Sequence, residues 1–319
     1  MTTHTAAIIP PLGAHAEVRW TGRLLGDALP RVTLAEVWRR AGTEKVIWHA
    51  HRNNELLVGL LLRFLRRNLK VVFTRHGGRR PSAYTQRLAR LADELITLNP
   101  ENAGWMQRPS SVIPHGVDLE RFRPPTGSRD DAWSRLGQGG RFGIGVVGRI
   151  REPKGQGDFV TAVAPLLPAF PEWRAALVGL AQGPDARWAA QLRGETRGAL
   201  LLPGEQHDVV PWYQGLSVLV NPSHGESFGL TLIEGMAAGC CVVASRLPHV
   251  PTLIEHGRTG FLYEPRDVVA LRDLLTRLMH RPEEAWSIGR NAAEEARGRF
   301  GIAREAADLA RVYARALSA

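Results

Sequence analysis

Two glutamates eight positions apart, Glu226 and Glu234, flank Gly229 within the stretch Asn221 to Ser245 (NPSHGESFGLTLIEGMAAGCCVVAS). The apolar run Val218-Leu219-Val220 precedes them, and Cys241-Val242-Val243-Ala244 follows. The pattern predicts strand, acidic loop, helix from Leu230 to Ala238, strand. A helix N-terminus presents unpaired N–H groups and the positive end of the helix dipole, so it takes phosphate. Gly229 there permits close approach of a ligand to the backbone. Glu234, about a turn and a half into the helix, can accept hydrogen bonds from sugar or ribose hydroxyls. Glu226 can reach the same pocket from the loop. An acidic cap plus a solvated helix carboxylate accounts for the spacing equally well on these residues alone.

Two cations stand at a second turn. Gly148-Arg149 through Lys154-Gly155 lies between a predicted strand ending at Gly148 and a helix from about Gly155 to Leu167. That turn falls at the C-terminal edge of a parallel sheet, where doubly wound folds bind ligands. Taken alone, Arg149 and Lys154 are two surface cations. The same strand contains Gly143-x-Gly145-x-x-Gly148, a dinucleotide fingerprint by spacing. Its glycines lie inside the strand rather than in the turn after it, and Glu172 stands before its strand, so an NAD-dependent oxidoreductase is the weaker reading.

The elements that must position these residues alternate. Strands are expected at 5–9, 46–49, 70–74, 94–98, 111–113, 174–178 and 199–202, with helices at 34–40, 55–67 and 82–92 and three more at 266–279, 282–297 and 302–317. Thr33 and Glu36 form a capping-box pattern, and Asn53-Asn54 can cap the helix that follows. Strands alternating with helices imply parallel α/β sheets. Residues 123–140 are rich in Pro, Gly and charge and read as a linker. The helix LLVGLLLRFLRRNL is apolar nearly all round and ends in Arg63, Arg66 and Arg67. Burial against a sheet is its plain explanation, and a membrane-surface helix its sharper one.

Composition sets bounds. The chain's 319 residues suffice for two cores. Its two cysteines, Cys240 and Cys241, are adjacent within a predicted strand, which gives no metal-ligand spacing and fits a reducing cytoplasm. No secretory signal or membrane-spanning run is expected. A net charge of +10, from 41 Lys and Arg against 31 Asp and Glu, suggests anionic partners. Charge alone also allows a basic nucleic-acid-binding protein, but no nucleic-acid motif is present. His49 and His51 could share a metal but lack further ligands in sequence.

Glu226-Ser-Phe-Gly-Leu-Thr-Leu-Ile-Glu234 and the run after it resemble the E-x7-E motif of retaining glycosyltransferases of family 4. Gly148-Arg149 with Lys154-Gly155 is similar to that family's diphosphate-gripping pair, and Asp118, Phe122 and Pro124 to the segment leaving its first domain. The resemblance implies α/β architecture of the GT-B type, two Rossmann-like parallel-sheet domains facing a cleft. It implies an acceptor-side domain over 1–124, a nucleotide-sugar-binding domain over 125–300 and a last helix, 301–319, crossing back. It implies sugar transfer from a nucleotide diphosphate with anomeric retention and without a metal or other cofactor. Arg149, Lys154 and the Phe228-Gly229-Leu230 backbone would hold the diphosphate, Gly204 would lie by the base, Glu234 would bind ribose, and Glu226 the donor sugar. His76, in Phe73-Thr-Arg-His-Gly-Gly78, stands where the family places a histidine facing that sugar. Trp48-His-Ala-His-Arg-Asn-Asn-Glu55 and Pro211-Trp-Tyr213 resemble a subgroup adding mannose to the lipopolysaccharide core. The expected donor is GDP- or UDP-linked, the acceptor a glycan or lipid-linked glycan, with a possible anionic membrane surface and no nucleic acid as partner. A cytoplasmic, peripherally membrane-bound enzyme follows. One departure is that Gly13 stands alone where the family has a Gly-Gly loop, within an abbreviated segment 10–33.

Overall fold

A computed structural model describes residues 2–22 and 29–318, so part of the abbreviated segment, 23–28, lies outside the described residues. The chain divides into two compact units, Met1–Gly116 with Phe300–Ala319, and Val117–Arg299.

The first unit runs α1 (Thr2–Leu12), α2 (Leu34–Arg40), β1 (Val46–Ala50), α3 (Asn53–Leu65), β2 (Leu69–Arg75), α4 (Ala83–Leu91), β3 (Glu94–Thr97), α5 (Pro100–Gly104) and β4 (Ser111–Val112). Its sheet is parallel in the order β1-β2-β3-β4. Both faces are covered, so alternate residues of β2 enter different cores. Val71 and Phe73 pack with Leu56, Leu88 and Leu95, whereas Val72 packs with Ile8, Leu12 and Leu309 on the other face.

The stretch expected as a strand at 5–9 is helical in α1. A short apolar run does not distinguish the two conformations. Tertiary packing does: Ile8 and Leu12, a turn apart, bury against Ala306, Leu309 and Val312. On α3, Asn53 and Asn54 do not supply the cap. The helix begins at Asn53, and the Glu55 carboxylate accepts from the His51 and Arg52 N–H groups. Leu56 and Gly59 face the sheet; a Cβ on Gly59 would stand 2.3 Å from Trp48 Cδ1. The opposite face stays open, with Leu61 60%, Phe64 85% and Leu65 62% exposed. Burial therefore explains only half of this helix.

The second unit runs α6 (Arg129–Ser134), β5 (Phe142–Val147), α7 (Gln156–Val163), β6 (Trp173–Val178), α8 (Pro184–Glu195), β7 (Leu200–Gly204), α9 (Val210–Gly215), β8 (Leu216–Asn221), α10 (Leu230–Ala237), β9 (Cys241–Ser245), β10 (Phe261–Tyr263), α11 (Val268–His280) and α12 (Pro282–Arg299). The last helix, α13 (Ile302–Ser318), belongs to the first unit. The second sheet is parallel in the order β10-β9-β8-β5-β6-β7. Its order reverses between β5 and β8, which creates a topological switch point at their C-terminal ends.

Residues 123–140 are not simply a linker. Ser128 caps α6 through the Asp131 N–H, and Trp133 of that helix is 1% exposed. Arg129 donates to the carbonyls of Tyr213, Leu216 and Ala238. One aromatic and one guanidinium thus anchor a segment whose composition looks like loop. No helix of the described residues is long and apolar enough to cross a membrane.

Candidate active site at the β5–β8 switch point

Most of the second unit's candidate residues gather on two neighbouring strand-to-helix turns, while Gly204 stands apart at the end of β7. After β5, the chain passes Gly148 and Arg149 and makes a tight turn over Glu152–Lys154 before α7. After β8, it passes Glu226 and reaches Gly229 before α10. Backbone contacts lock the turns together. The His224 N–H donates to the Pro153 carbonyl at 3.1 Å, and the His224 ring meets Asp158 at 2.7 Å. Gly155 has φ +71°, and a Cβ there would stand 1.9 Å from the Pro222 oxygen. Glycine is therefore required both by conformation and by close approach.

That locking places Lys154 Nζ 2.6 Å from a Glu226 carboxylate oxygen. Both side chains retain some exposure, 28% and 15%. Glu226 also accepts from the Ser227 N–H at 3.1 Å. Arg149 is exposed, and its guanidinium forms no ion pair or hydrogen bond among the described residues; its carbonyl accepts from Gln156. Gly229 sits at the N-cap of α10 with φ +91°. The Phe228 side chain beside it is buried, and Leu230 begins the helix.

Glu234 lies on the second turn of α10 and accepts from the Tyr213 hydroxyl at 2.7 Å. Burial raises the Tyr213 phenol well above its usual range, and the Glu234 charge adds to it, so it remains a donor. An aromatic before an apolar strand carries no sequence signal for this role of Tyr213. Gly204 ends β7 with φ +76°. Nearby, Arg121 holds Asp208 at 2.9 Å and keeps its carboxyl below the usual range.

The glycine fingerprint has a packing cause. A Cβ on Gly143 would lie 2.4 Å from the Trp133 ring, and one on Gly145 would lie 2.6 Å from the Ala176 oxygen. Glu172 precedes β6, at the strand end away from the turns. These glycines admit neighbours rather than a pyrophosphate.

In the first unit, His76 follows β2 and joins a line of histidines. Glu305 of α13 meets His115 Nδ1 through Oε1 at 2.9 Å, its Oε2 accepts from the Gly116 N–H at 2.7 Å, and His4 Nε2 lies 3.1 Å from Oε1 and 3.0 Å from Oε2. His115 Nε2 lies 3.3 Å from His76 Nδ1, and His76 Nε2 lies 2.9 Å from His51 Nδ1. His49 stacks near His51 and bonds Tyr313 and Thr74, each at 2.7 Å. Both ring nitrogens of His76 are therefore engaged by other histidines.

Burial opposes ionisation of Glu305, but the bonds from His115 and His4 bring its carboxyl down to about 2. Burial lowers His115, His76 and His49, and lowers His51 to about 4. A carboxylate can only accept, so each ring in turn must donate from Nδ1. His115 gives its Nδ1 proton to Glu305, His76 to His115 and His51 to His76. Among the described residues, His4, His115 and Glu305 form one group whose donor atoms could hold a metal. His49 and His51 are joined by each other and by His76, not by a carboxylate.

Comparison with known proteins bears on the family and the fold. The family model for glycosyl transferases group 1 matches residues 141–281. The lipopolysaccharide core biosynthesis mannosyltransferase LpcC of Rhizobium leguminosarum bv. viciae is 37% identical over 299 residues, 91% of this chain and 85% of that protein. The corresponding LpsB of Rhizobium meliloti (strain 1021) is 33% identical, with 91% and 87% covered. Anabaena HepE, solved in complex with UDP and glucose, superposes with a TM-score of 0.82 over 98% of this chain and 95% of its own, at 19% identity. Its likeness concerns the fold, which is GT-B. Neither the oxidoreductase nor the nucleic-acid-binding alternative finds support. With two parallel α/β sheets, paired cation and carboxylate at a switch point, and relatives matched along nearly their whole length, the chain belongs to the glycosyl transferases group 1 family.

Proposed function

We propose that this enzyme moves mannose, with anomeric retention and without a metal in the transfer step, from a nucleotide diphosphate to a lipopolysaccharide-core-type glycan. The carrying observation is the 2.6 Å Lys154–Glu226 pair at the β5–β8 switch point, on the same turn as Arg149, whose guanidinium has no partner among the described residues. Transfer breaks the bond between the sugar C1 and the diphosphate oxygen and forms one to the acceptor oxygen. The acceptor's proton leaves with the diphosphate. Negative charge grows on that diphosphate, and preorganised cations and helix N–H groups stabilise it where it forms. Arg149, Lys154 and the Phe228-Gly229-Leu230 backbone fill this role. Glu234, oriented by Tyr213, takes the ribose, Glu226 the sugar hydroxyls, and Gly204 lies by the base.

His76 keeps the sugar-facing role in this reading. Because both its ring nitrogens are held, that role requires the His51–His76 bond to give way on binding. Mannose and the core acceptor are supported by the named activities of the two rhizobial relatives, and a nucleotide-linked donor by the UDP bound to the Anabaena neighbour. GDP-mannose is the favoured donor. Work at the cytoplasmic membrane face fits the open apolar side of α3, where Leu57, Leu61, Phe64 and Leu65 lie beside Arg63 and Arg67.

Thermal unfolding with GDP, UDP, ADP and NAD tests donor class. A ligand at a hundred times its Kd adds about 2.7 kcal/mol, so a shift with GDP or UDP alone is expected. Transfer from labelled GDP-mannose and UDP-glucose to core oligosaccharide then tests the sugar. Stabilisation by NAD alone, or transfer of glucose but not mannose, would overturn the reading.

A further inference from the structure

We propose that His4, His115 and Glu305 form a site for one divalent first-row transition ion of the Zn2+ type, and that filling it reverses the hydrogen-bond polarity of His115, His76 and His51. The site lies within the first unit, where His115 separates it from His76.

The donor atoms lie close enough together to share one ion after small shifts. His4 Nε2 and His115 Nδ1 lie 3.0 and 2.9 Å from Glu305 oxygens, and the three ligand atoms lie within 4.8 Å of one another. Ligands about 2.0–2.1 Å from a tetrahedral zinc ion stand about 3.3 Å apart. Two imidazoles and one carboxylate suit such an ion, whereas calcium and magnesium take oxygen ligands. The residues are 9%, 6% and 4% exposed. A divalent ion would also supply positive charge to the buried Glu305 carboxylate.

The surroundings hold the ligands in place. The Gly116 N–H fixes one Glu305 oxygen at 2.7 Å, and His115 offers its far nitrogen to His76. Such outer hydrogen bonds set the orientation of metal-bound imidazoles and carboxylates. The loop carrying His115 is clamped on α13, since a Cβ on Gly116 would stand 2.6 Å from Ile302 Cα. The site thereby joins α1, the loop after β4 and the C-terminal helix.

The polarity reversal follows from the valence of imidazole. Without an ion, His115 donates from Nδ1 to Glu305 and accepts at Nε2. With an ion on Nδ1, its proton must lie on Nε2 and point at His76 Nδ1. His76 then carries its proton on Nε2 and donates to His51 Nδ1. His51 in turn carries its proton on Nε2. Each neutral ring keeps one proton, so none is gained or lost along the line. The His51 Nε2 atom, which has no partner among the described residues, changes from acceptor to donor.

The test uses tag-free full-length protein stripped with EDTA and titrated calorimetrically with Zn2+ alone. One equivalent is expected, with a raised Tm. His4→Gln should weaken binding by at least about tenfold, and Glu305→Gln should abolish it. His4→Gln leaves the His115–Glu305–Gly116 contacts in place, so it decides the matter if Glu305→Gln does not fold. Nitrogen-15 imidazole spectra should move the His115 proton from Nδ1 to Nε2 on zinc addition. Absence of binding, equal binding by both variants, or binding without that tautomer change would each overturn the proposal.

Discussion

The two polar clusters of this protein are assembled in different ways. Arg149, Lys154, Glu226 and Glu234 stand on two strand-to-helix turns whose strands, β5 and β8, are sheet neighbours. His4, His51, His76, His115 and Glu305 come from five separate places, with His4 and Glu305 301 positions apart. The first cluster keeps a cation, Arg149, with no partner among the described residues and carboxylates that are only partly buried, as a site that must admit a charged ligand requires. The second is closed: each bonded nitrogen of its inner rings faces another ring or Glu305. Openness at one and saturation at the other separate a cluster that can admit a charged ligand directly from one whose rings must first exchange partners.

The sharpest way to break this contrast is to remove the cation of the open cluster. Lys154→Ala should lower kcat by about 10²–10³-fold, the range for one charge-stabilising donor, with Tm nearly unchanged because the pair is partly solvated. Comparable loss from His51→Gln would erase the distinction between the clusters. Tyr213→Phe removes the hydroxyl that orients Glu234. We expect the KM for the nucleotide sugar to rise about tenfold, as fits a lost hydrogen bond to a charged group, with kcat little affected. An equal fall in kcat would mean that Glu234 acts in the transition state rather than in donor binding.

A milder test concerns surface. Leu61→Glu together with Phe64→Glu should reduce binding to vesicles of anionic phospholipid severalfold while sparing activity on a soluble acceptor. Undiminished vesicle binding would remove α3 from the membrane reading.

The smallest effect is that of pH on the closed cluster. Burial lowers His49 and His51, the latter to about 4. Tyr313, Thr74 and His76 bond these rings, and Arg52, His115, His4 and Glu305 act on His51 through space. A histidine whose folded value lies below its unfolded value, about 6.5, binds fewer protons when folded. Its contribution is present at neutral pH and is lost as pH falls from about 6.5 to about 4. The urea midpoint should therefore be lower at pH 4.5 than at pH 7. Equal midpoints would show that these rings are no less basic than in the unfolded chain.

Much of the second unit could be read from its residues because its grammar is local. Val218-Leu219-Val220, the loop, Gly229 and the run from Leu230 give strand, turn and helix within one contiguous stretch, and the structure holds β8 and α10 there. Short-range patterns failed where a distant partner chose the conformation. Residues 5–9 have the composition of a strand but are helical against α13. Residues 123–140 have the composition of a linker, yet Trp133 and Arg129 make part of them a helix fixed to the core. The fingerprint glycines 143 and 145 gave a false signal, because strand packing against Trp133 and Ala176 selects glycine as strictly as a pyrophosphate does.

The sequence by itself determined the alternation of strands and helices, the parallel α/β class and the presence of cations and glutamates at turns, because periodicity, caps and turn residues act over a few positions. Tertiary structure alone decided that Lys154 meets Glu226, that Tyr213 holds Glu234 and that Glu305 of the last helix gathers His4 and His115. Those contacts depend on strand order and on where a C-terminal helix returns, which no local pattern encodes. They form only once burial has already fixed the elements that carry them.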